Sequence, residues 1–359
     1  MDTKRILTGH RPTGPRHIGH LVGTLENWAR LQDEYESFFL IADMHVLTTA
    51  YDQPDRIQDN IVDVLADWLA AGIDPRKSTL VLQSALMEHA QLSLLFSMMT
   101  TVARLERVPT YKDQIQQLDL NPSLGLLTYP VLQASDILIY KATAVPVGED
   151  QMPHIELTRE VARRFNSTYG DTFAEPEGLL ISGEAARLPG IDNRTMHSSR
   201  GNTILLKDSP EETTAKIMQM YTDPKRIHAT DPGTVEGNPV FIYHDVFNPD
   251  QDEVADFKKR YAAGTVGDVE VKRRLAEMLN AYLAPLRARR AELVQYPEEL
   301  MAILYAGTEK ARPVAQETLK EVQEKMGLHN RYFYDKEAVV KHIRKISEQN
   351  TFESLGLIP

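Results

Sequence analysis

The sequence predicts an α/β chain, with a doubly wound parallel sheet in its first half and a helical C-terminal half. Three observations predict it. Short β-rich runs alternate with helical patterns up to about residue 165, the order that gives a parallel sheet covered on both faces. Ser37–Ala42 (SFFLIA) is an almost continuous apolar run, the mark of a strand buried on both sides. From about Ser209 onward the β signal fades and helical periodicity takes over.

Taken in order, Arg5–Gly9 (RILTG) reads as the first strand, and a Pro/Gly turn leads into a helix from about Gly19 to Asp33. Ser37–Ala42 is the second strand. Pro54 opens a helix whose stripe is Ile57, Ile61, Val64, Leu65, Trp68 and Leu69, with Gly72 at its end. Thr79–Gln83 is the third strand, followed by one long helix over His89–Arg107. An apolar helical stretch, Leu126–Tyr140, precedes the strand Ala144–Gly148 and the helix Glu149–Phe165. In the second half, a Gly/Pro-rich stretch, Thr222–Pro239, interrupts the helices, and Lys272–Glu292 is amphipathic with a bend expected at Pro285. The residues from Arg331 onward form an appended helix of no assigned role.

Composition narrows the chemistry. Of 359 residues, 42% are hydrophobic and 25% charged, and there is no cysteine, so disulfides, thiolate metal sites, iron–sulfur clusters and cysteine nucleophiles are excluded. The formal charge of −11 rules out nucleic-acid binding through a general positive field, though not through a local basic surface. No membrane-length apolar run is present and MDTKRILTG lacks a signal-peptide core, so no membrane partner and a cytoplasmic location are expected.

The strongest local signal is Thr8-Gly9-His10-Arg11-Pro12-Thr13-Gly14-Pro15-Arg16-His17-Ile18-Gly19-His20. It reads as a strand, a tight turn, and two histidines three residues apart on one side of a helix's first turn. Gly9 and Gly19 allow close approach of a ligand, and the helix start offers N–H groups and a positive dipole end to a phosphate. A second signal lies in Thr128–Tyr140, where Asp136 interrupts an otherwise apolar helix and needs a partner if buried. An indole N–H is a donor only, so a slot for it needs one acceptor in apolar surroundings. Val145 and Val147, on one face of a strand, would form a flat apolar wall. A structural cap or ion pair is the competing reading of Asp136. Asp43-Met44-His45 ends the second strand, where His45 faces either a ligand or the core.

The first segment resembles the H-I-G-H motif of class I aminoacyl-tRNA synthetases, preceded by the P-T-G turn of their tryptophanyl and tyrosyl branch. The segments Thr128–Tyr140, Val145–Gln151 and His154–Arg159 are similar to the tryptophanyl members, and the resemblance runs from about Arg5 to Leu328. It implies a Rossmann-like catalytic domain over 1–190, in line with the strand pattern. It further implies an altered loop with a helical anticodon-binding domain over 191–297, helices near 298–328 packing back on the first domain, and an extension over 329–359. The implied activity is tryptophan activation by ATP, with Mg2+ on the triphosphate, and transfer to tRNA(Trp) by a homodimer.

By position, His17, His20 and Arg11 inherit catalytic roles toward ATP. Gly9, Thr13, Gly19, Gly148 and Asp150 inherit nucleotide contacts, and Lys112 resembles a lysine on a loop that reaches ATP. Leu7, His45, Tyr129, Gln133, Asp136, Val145, Val147 and Gln151 inherit contacts to tryptophan, with Tyr129 and Gln151 at its α-amino group.

One motif departs from the family. Its K-M-S-K-S loop appears here as Arg194-Thr195-Met196-His197-Ser198-Ser199-Arg200-Gly201-Asn202, with Thr195 and Ser198 in place of both lysines. Met196, Ser198 and Ser199 keep nucleotide-binding positions. Either Arg194 and Arg200 supply the missing charge, or the chain is a weakened or silent tryptophan-binding paralogue with a regulatory role. The basic groups Lys258, Lys259, Arg260, Lys272, Arg273, Arg274, Arg287, Arg289 and Arg290 are expected to contact tRNA phosphates.

Overall fold

The computed structural model describes residues 4–118, 121–180, 188–196, 200–228, 230–328 and 335–348. Five strands, β1 (Arg5–His10), β2 (Glu36–Ile41), β3 (Ser78–Leu82), β4 (Ala144–Val147) and β5 (Glu177–Leu180), form one parallel sheet in the order β3-β2-β1-β4-β5. The order reverses between β1 and β4, and the crevice beyond such a reversal is where open α/β sheets bind ligands.

The strand pattern explains the layers. Leu7, Phe38 and Leu40 face one apolar core with Val145 and Val147, whereas Ile6, Phe39 and Ile41 face the other. Both faces are therefore covered. β5 has no counterpart among the expected strands, because Glu177-Gly178-Leu179-Leu180 is short and its ends are exposed.

On one face lie α1 (Ile18–His20), a π-helical turn (Leu21–Leu25), α2 (Glu26–Leu31) and, beyond the four-residue α3 (Leu47–Ala50), α4 (Ile57–Ala70). The expected stripe of α4 is realised: Ile61, Val64, Leu65 and Trp68 are fully buried, and Gly72 ends the helix with φ +103°. On the other face lie α5 (Glu88–Ser97), α6 (Val102–Leu105), α7 (Pro109–Leu118), α8 (Leu124–Ile139) and α9 (Met152–Tyr169).

The single long helix expected over His89–Arg107 is two. Thr101 takes extended backbone (φ −82°, ψ 144°), and Thr100 Oγ1 donates back to the Phe96 carbonyl, closing α5 before α6 begins.

The second half contributes α10 (Pro210–Met218), α11 (Pro239–Phe247), α12 (Gln251–Ala262), α13 (Asp268–Leu293) and α14 (Pro297–Lys325), then α15 (Lys336–Glu348). The first four of these share the apolar cluster of α4, so the helical half and the sheet are continuous through Leu275, Leu279 and Leu283.

α14 crosses the edge of the sheet. Its first turns place Leu300 and Leu304 in one core, and its later turns place Ala311, Ala315 and Leu319 in the other. At the crossing, Thr308 Oγ1 accepts the Leu82 N–H at 3.0 Å, and a Cβ on Gly307 would lie 2.2 Å from the Leu80 carbonyl oxygen. The open edge of β3 is thereby covered by helix backbone at close range.

Of the basic groups expected to meet RNA, Lys272 and Arg290 are buried and four others have partners within the chain. Lys272 is buried and donates to the Met220 carbonyl, and Arg290 pairs with Asp63 and Asp67. Lys258 pairs with Asp245, Arg260 with Glu270, and Arg274 with Glu253, while Arg287 donates to Asn280 and Thr213. Lys259, Arg273 and Arg289 are exposed.

Candidate active site

A cavity of about 1140 Å³ opens at the reversal point of the sheet. β1 supplies Leu7, Thr8, Gly9 and His10, and the turn after it supplies Arg11, Thr13 and Arg16. β4 and the turn beyond it supply Val145, Val147, Gly148, Asp150 and Gln151. α8 adds Tyr129, Gln133 and Asp136, and the turn after β2 adds His45. Thr8 Oγ1 donates to the Pro146 carbonyl at 3.2 Å, tying the two strands at the rim.

The signature turn is built on buried charge. Asp67 of α4, fully buried, accepts the Arg16 backbone N–H at 2.8 Å, just before the two histidines. Burial lowers Arg16 to about 10 against the pull of Asp67 and Asp63, and its guanidinium donates to the Gly14 carbonyl, closing the turn. Gly9 serves the sheet as well as the cavity, since a Cβ there would meet the Leu40 carbonyl oxygen at 2.1 Å.

His17 and His20 come together, with ring centroids 3.7 Å apart. His17 stands before the helix, with extended backbone, and α1 begins at Ile18. The His17 N–H donates to His20 Nδ1 at 3.2 Å, so a neutral His20 carries its proton on Nε2. Burial, then the charges of Arg16, His17 and His10, hold His20 well below the ordinary histidine range. His20 is thus a neutral hydrogen-bond donor at pH 7. His10 is held low by burial first, and its Nδ1 accepts the Trp68 indole N–H at 3.0 Å.

The altered loop is sewn to this turn. The Ile18 N–H donates to the Ile204 carbonyl at 2.9 Å, and the Leu206 N–H to the Arg16 carbonyl at 2.9 Å. Met196 is buried, and a Cβ on Gly19 would lie 3.0 Å from its sulfur, so glycine is what lets loop and helix start approach. Asn202 donates to Asp192 Oδ1 at 2.8 Å and to the Thr195 carbonyl at 3.1 Å, closing the loop's base. Arg194 and Arg200 are exposed and do not border the cavity; Ser198 and Ser199, like His197, lie outside the described residues. Lys112 is exposed on α7, also away from the cavity lining.

At the inner end, Asp136 is 3% exposed and held by His45, His89 and Gln83. Burial pushes its carboxyl up, but hydrogen bonds from His45 and His89 outweigh this and leave it below the usual carboxylate range. Val145 and Val147 form the apolar wall beside it. A polar triangle flanks it: Thr110 Oγ1 lies 2.6 Å from the Tyr129 hydroxyl and 2.8 Å from His154 Nε2. Burial lowers His154 to about 4.

The chain matches known proteins in sequence and in fold. The family model described as tRNA synthetases class I (W and Y) matches residues 2–284. The chain belongs to that family. It is 49% identical to a tryptophan–tRNA ligase of Chlamydia caviae, covering 92% of this chain and 97% of that one. It is 48% identical to the tryptophan–tRNA ligase of Treponema pallidum, covering 91% and 98%. Among solved structures, tryptophanyl-tRNA synthetase from Campylobacter jejuni, complexed with ADP and tryptophan, superposes with a TM-score of 0.80 at 35% identity, covering 90% of this chain and all of that one.

Within this class I synthetase fold, several cavity residues escape a reading of sequence: Arg16, Thr24, Trp28, Thr110 and His154. The π-helical turn brings Gly23 and Thr24 to the lining, with Thr24 Oγ1 donating to the His20 carbonyl at 2.6 Å. The resemblance of the His154–Arg159 segment was the one available signal for His154. Among the described residues no helix is long and apolar enough to cross a membrane, and no group of three or more His, Asp or Glu is placed to hold a metal ion.

Proposed function

We propose that the chain activates tryptophan with ATP and transfers it to tRNA(Trp), with the cavity between β1 and β4 as the site of both steps. One observation carries this reading: a single cavity holds a buried ionised acceptor, Asp136, beside the Val145–Val147 wall at one side and His20 with the glycines of the signature turn at another.

The tryptophan carboxylate oxygen attacks the α-phosphorus of ATP, the bond to the β-phosphate breaks, and pyrophosphate leaves. A tRNA ribose hydroxyl then attacks the carbonyl carbon of the adenylate and AMP departs. No covalent enzyme intermediate is needed, so the protein's task is position and charge. In this reading the indole lies against Val145 and Val147 with Leu7, His45 and Gln133 around it, and its N–H meets Asp136. Tyr129 and Gln151 hold the α-amino group.

His20, neutral with its proton on Nε2, donates to a phosphate oxygen without the repulsion that a second charge beside Arg16 would bring. His17 packs against it, and Arg11, whose guanidinium donates to Thr49, offers a cation that borders the cavity. Gly9, Thr13, Gly19, Gly148 and Asp150 border the nucleotide in this reading, and Lys112, Met196, Ser198 and Ser199 keep the nucleotide-contact roles that the resemblance gives them. Arg194 and Arg200 supply the charge that the missing lysines would give. Mg2+, entering with ATP, would supply positive charge toward the departing pyrophosphate.

The exposed Lys259, Arg273 and Arg289 of the helical half are the candidate phosphate contacts for tRNA. A homodimer is supported by exposed apolar side chains along α5 and the start of α6: Met87, Leu94, Met98 and Val102, each 58% exposed or more. A cytoplasmic location belongs to the same proposal, in keeping with tRNA as substrate.

The deciding experiment is tryptophan-dependent exchange of labelled pyrophosphate into ATP, with tyrosine as control. Exchange with tryptophan alone is the expected result. Binding of tryptophan without exchange would overturn it in favour of a silent paralogue.

A further inference from the structure

Asp136 is an acceptor already surrounded by donors. His45 Nε2 lies 2.9 Å from Oδ2, His89 Nδ1 lies 2.7 Å from Oδ1, and Gln83 Nε2 reaches both oxygens at 2.8 and 2.9 Å. An ionised carboxylate offers about four acceptor positions, so these three side chains account for all of them. Of the three, His45 alone borders the cavity; Gln83 and His89 are fully buried behind the carboxylate.

An indole N–H can therefore enter only by taking the position that His45 holds, while the rear donors keep the carboxylate turned toward it. Gln83 is itself fixed, since its Oε1 accepts the Met44 N–H at 3.1 Å. His89 is fixed by a different partner. Its Nε2 lies 2.7 Å from the hydroxyl of Tyr140, which sits one turn beyond Asp136. With Nδ1–H donating to Asp136, a neutral ring leaves Nε2 to accept the Tyr140 O–H. The order of groups is phenol, imidazole, carboxylate, and only the last reaches the cavity.

We propose that His89, backed by Tyr140, is a positioning residue that aims Asp136 and so sets the selectivity of the site for a ring N–H. The inference rests on the tryptophan reading above and deepens it. Rotation of a carboxylate about its last torsion is soft, so an acceptor without a rear anchor can turn and still satisfy itself within the pocket. A fixed acceptor discriminates because an analogue lacking the N–H leaves it unpaired once His45 has been displaced.

The test compares kcat/KM in pyrophosphate exchange for tryptophan and for its benzothiophene analogue, in which sulfur replaces the ring N–H. In His89→Leu the preference for tryptophan should fall about tenfold, with the loss in the tryptophan term and little change for the analogue. His89→Asn, whose amide can stand where Nδ1 stands, should hold the preference within about threefold. Tyr140→Phe should give a fall between these two. An equal loss for both substrates in His89→Leu, or an unchanged preference, overturns the proposal. If His89→Leu does not fold, Tyr140→Phe decides, and an unchanged preference there overturns it. A wild-type chain inactive with tryptophan would sink the functional reading and the inference with it, whereas an active chain with an unaltered preference sinks the inference alone.

Discussion

Arg290 of α13 donates to Asp67 Oδ1 at 2.6 Å, while the other oxygen of that carboxylate holds the backbone N–H of Arg16. A side chain from the helical half thus steadies the turn that carries the paired histidines. Asp67 is fully buried, and burial raises its carboxyl against the pull of Arg290. Arg290→Met should cost about 3–5 kcal/mol of stability, because it leaves a buried charge without its counter-ion. The double variant Asp67→Asn with Arg290→Met should recover part of that loss in urea unfolding. A single variant as stable as the parent would show that the pair bears no strain.

His20→Ala should lower the rate of adenylate formation about a hundredfold or more, as removal of an oriented transition-state donor does. Tryptophan affinity, measured by fluorescence or calorimetry, should stay within about threefold, since the indole slot lies elsewhere in the cavity. Weakened binding with an unchanged single-turnover rate would count against the assigned role.

Arg194→Ala and Arg200→Ala should each slow pyrophosphate exchange about tenfold, and together by more. The effect should appear in the ATP-dependent rate rather than in tryptophan binding. An unaltered rate in the double variant would leave the charge of the missing lysines to groups inside the cavity, Arg11 foremost.

His154 has a pKa lowered by burial to about 4, against about 6.5 in the unfolded chain. Between those values the unfolded chain binds more protons, so stability rises with pH. The contribution is full above about pH 6.5 and is lost progressively as pH falls toward 4, on the order of 3 kcal/mol in total. In His154→Gln the slope of stability against pH across that window should be shallower than in the parent. Parallel curves for the two proteins would refute the assignment.

The sheet was readable in the sequence because strands such as Ser37–Ala42 and Thr79–Gln83 are buried on both faces and carry that burial as apolar runs. β5 was not, since a short strand at the other edge has no second buried face to mark it. The break at Thr101 was hidden because apolar residues continue through it at helical spacing. In the site, the signature turn and the segment around Asp136 were legible as contiguous motifs. Gln83, His89, Thr110 and His154 were not, because each comes from a different element and acquires its partner only when α5, α8 and α9 pack together. The burial of Lys272 and Arg290 was hidden for the same reason: nothing local to either announces a buried carbonyl or carboxylate waiting elsewhere in the chain.

The crossing of α14 over β3 has a consequence in time. β3 is made early, yet Gly307 and Thr308, which shield its open side, are made more than two hundred residues later. At cellular synthesis rates that interval is on the order of tens of seconds. Through it the edge of β3 lacks its helical cover, and its free N–H and C=O groups are open to water or to the edge of another chain. That edge is closed by a segment made long after the strand it covers.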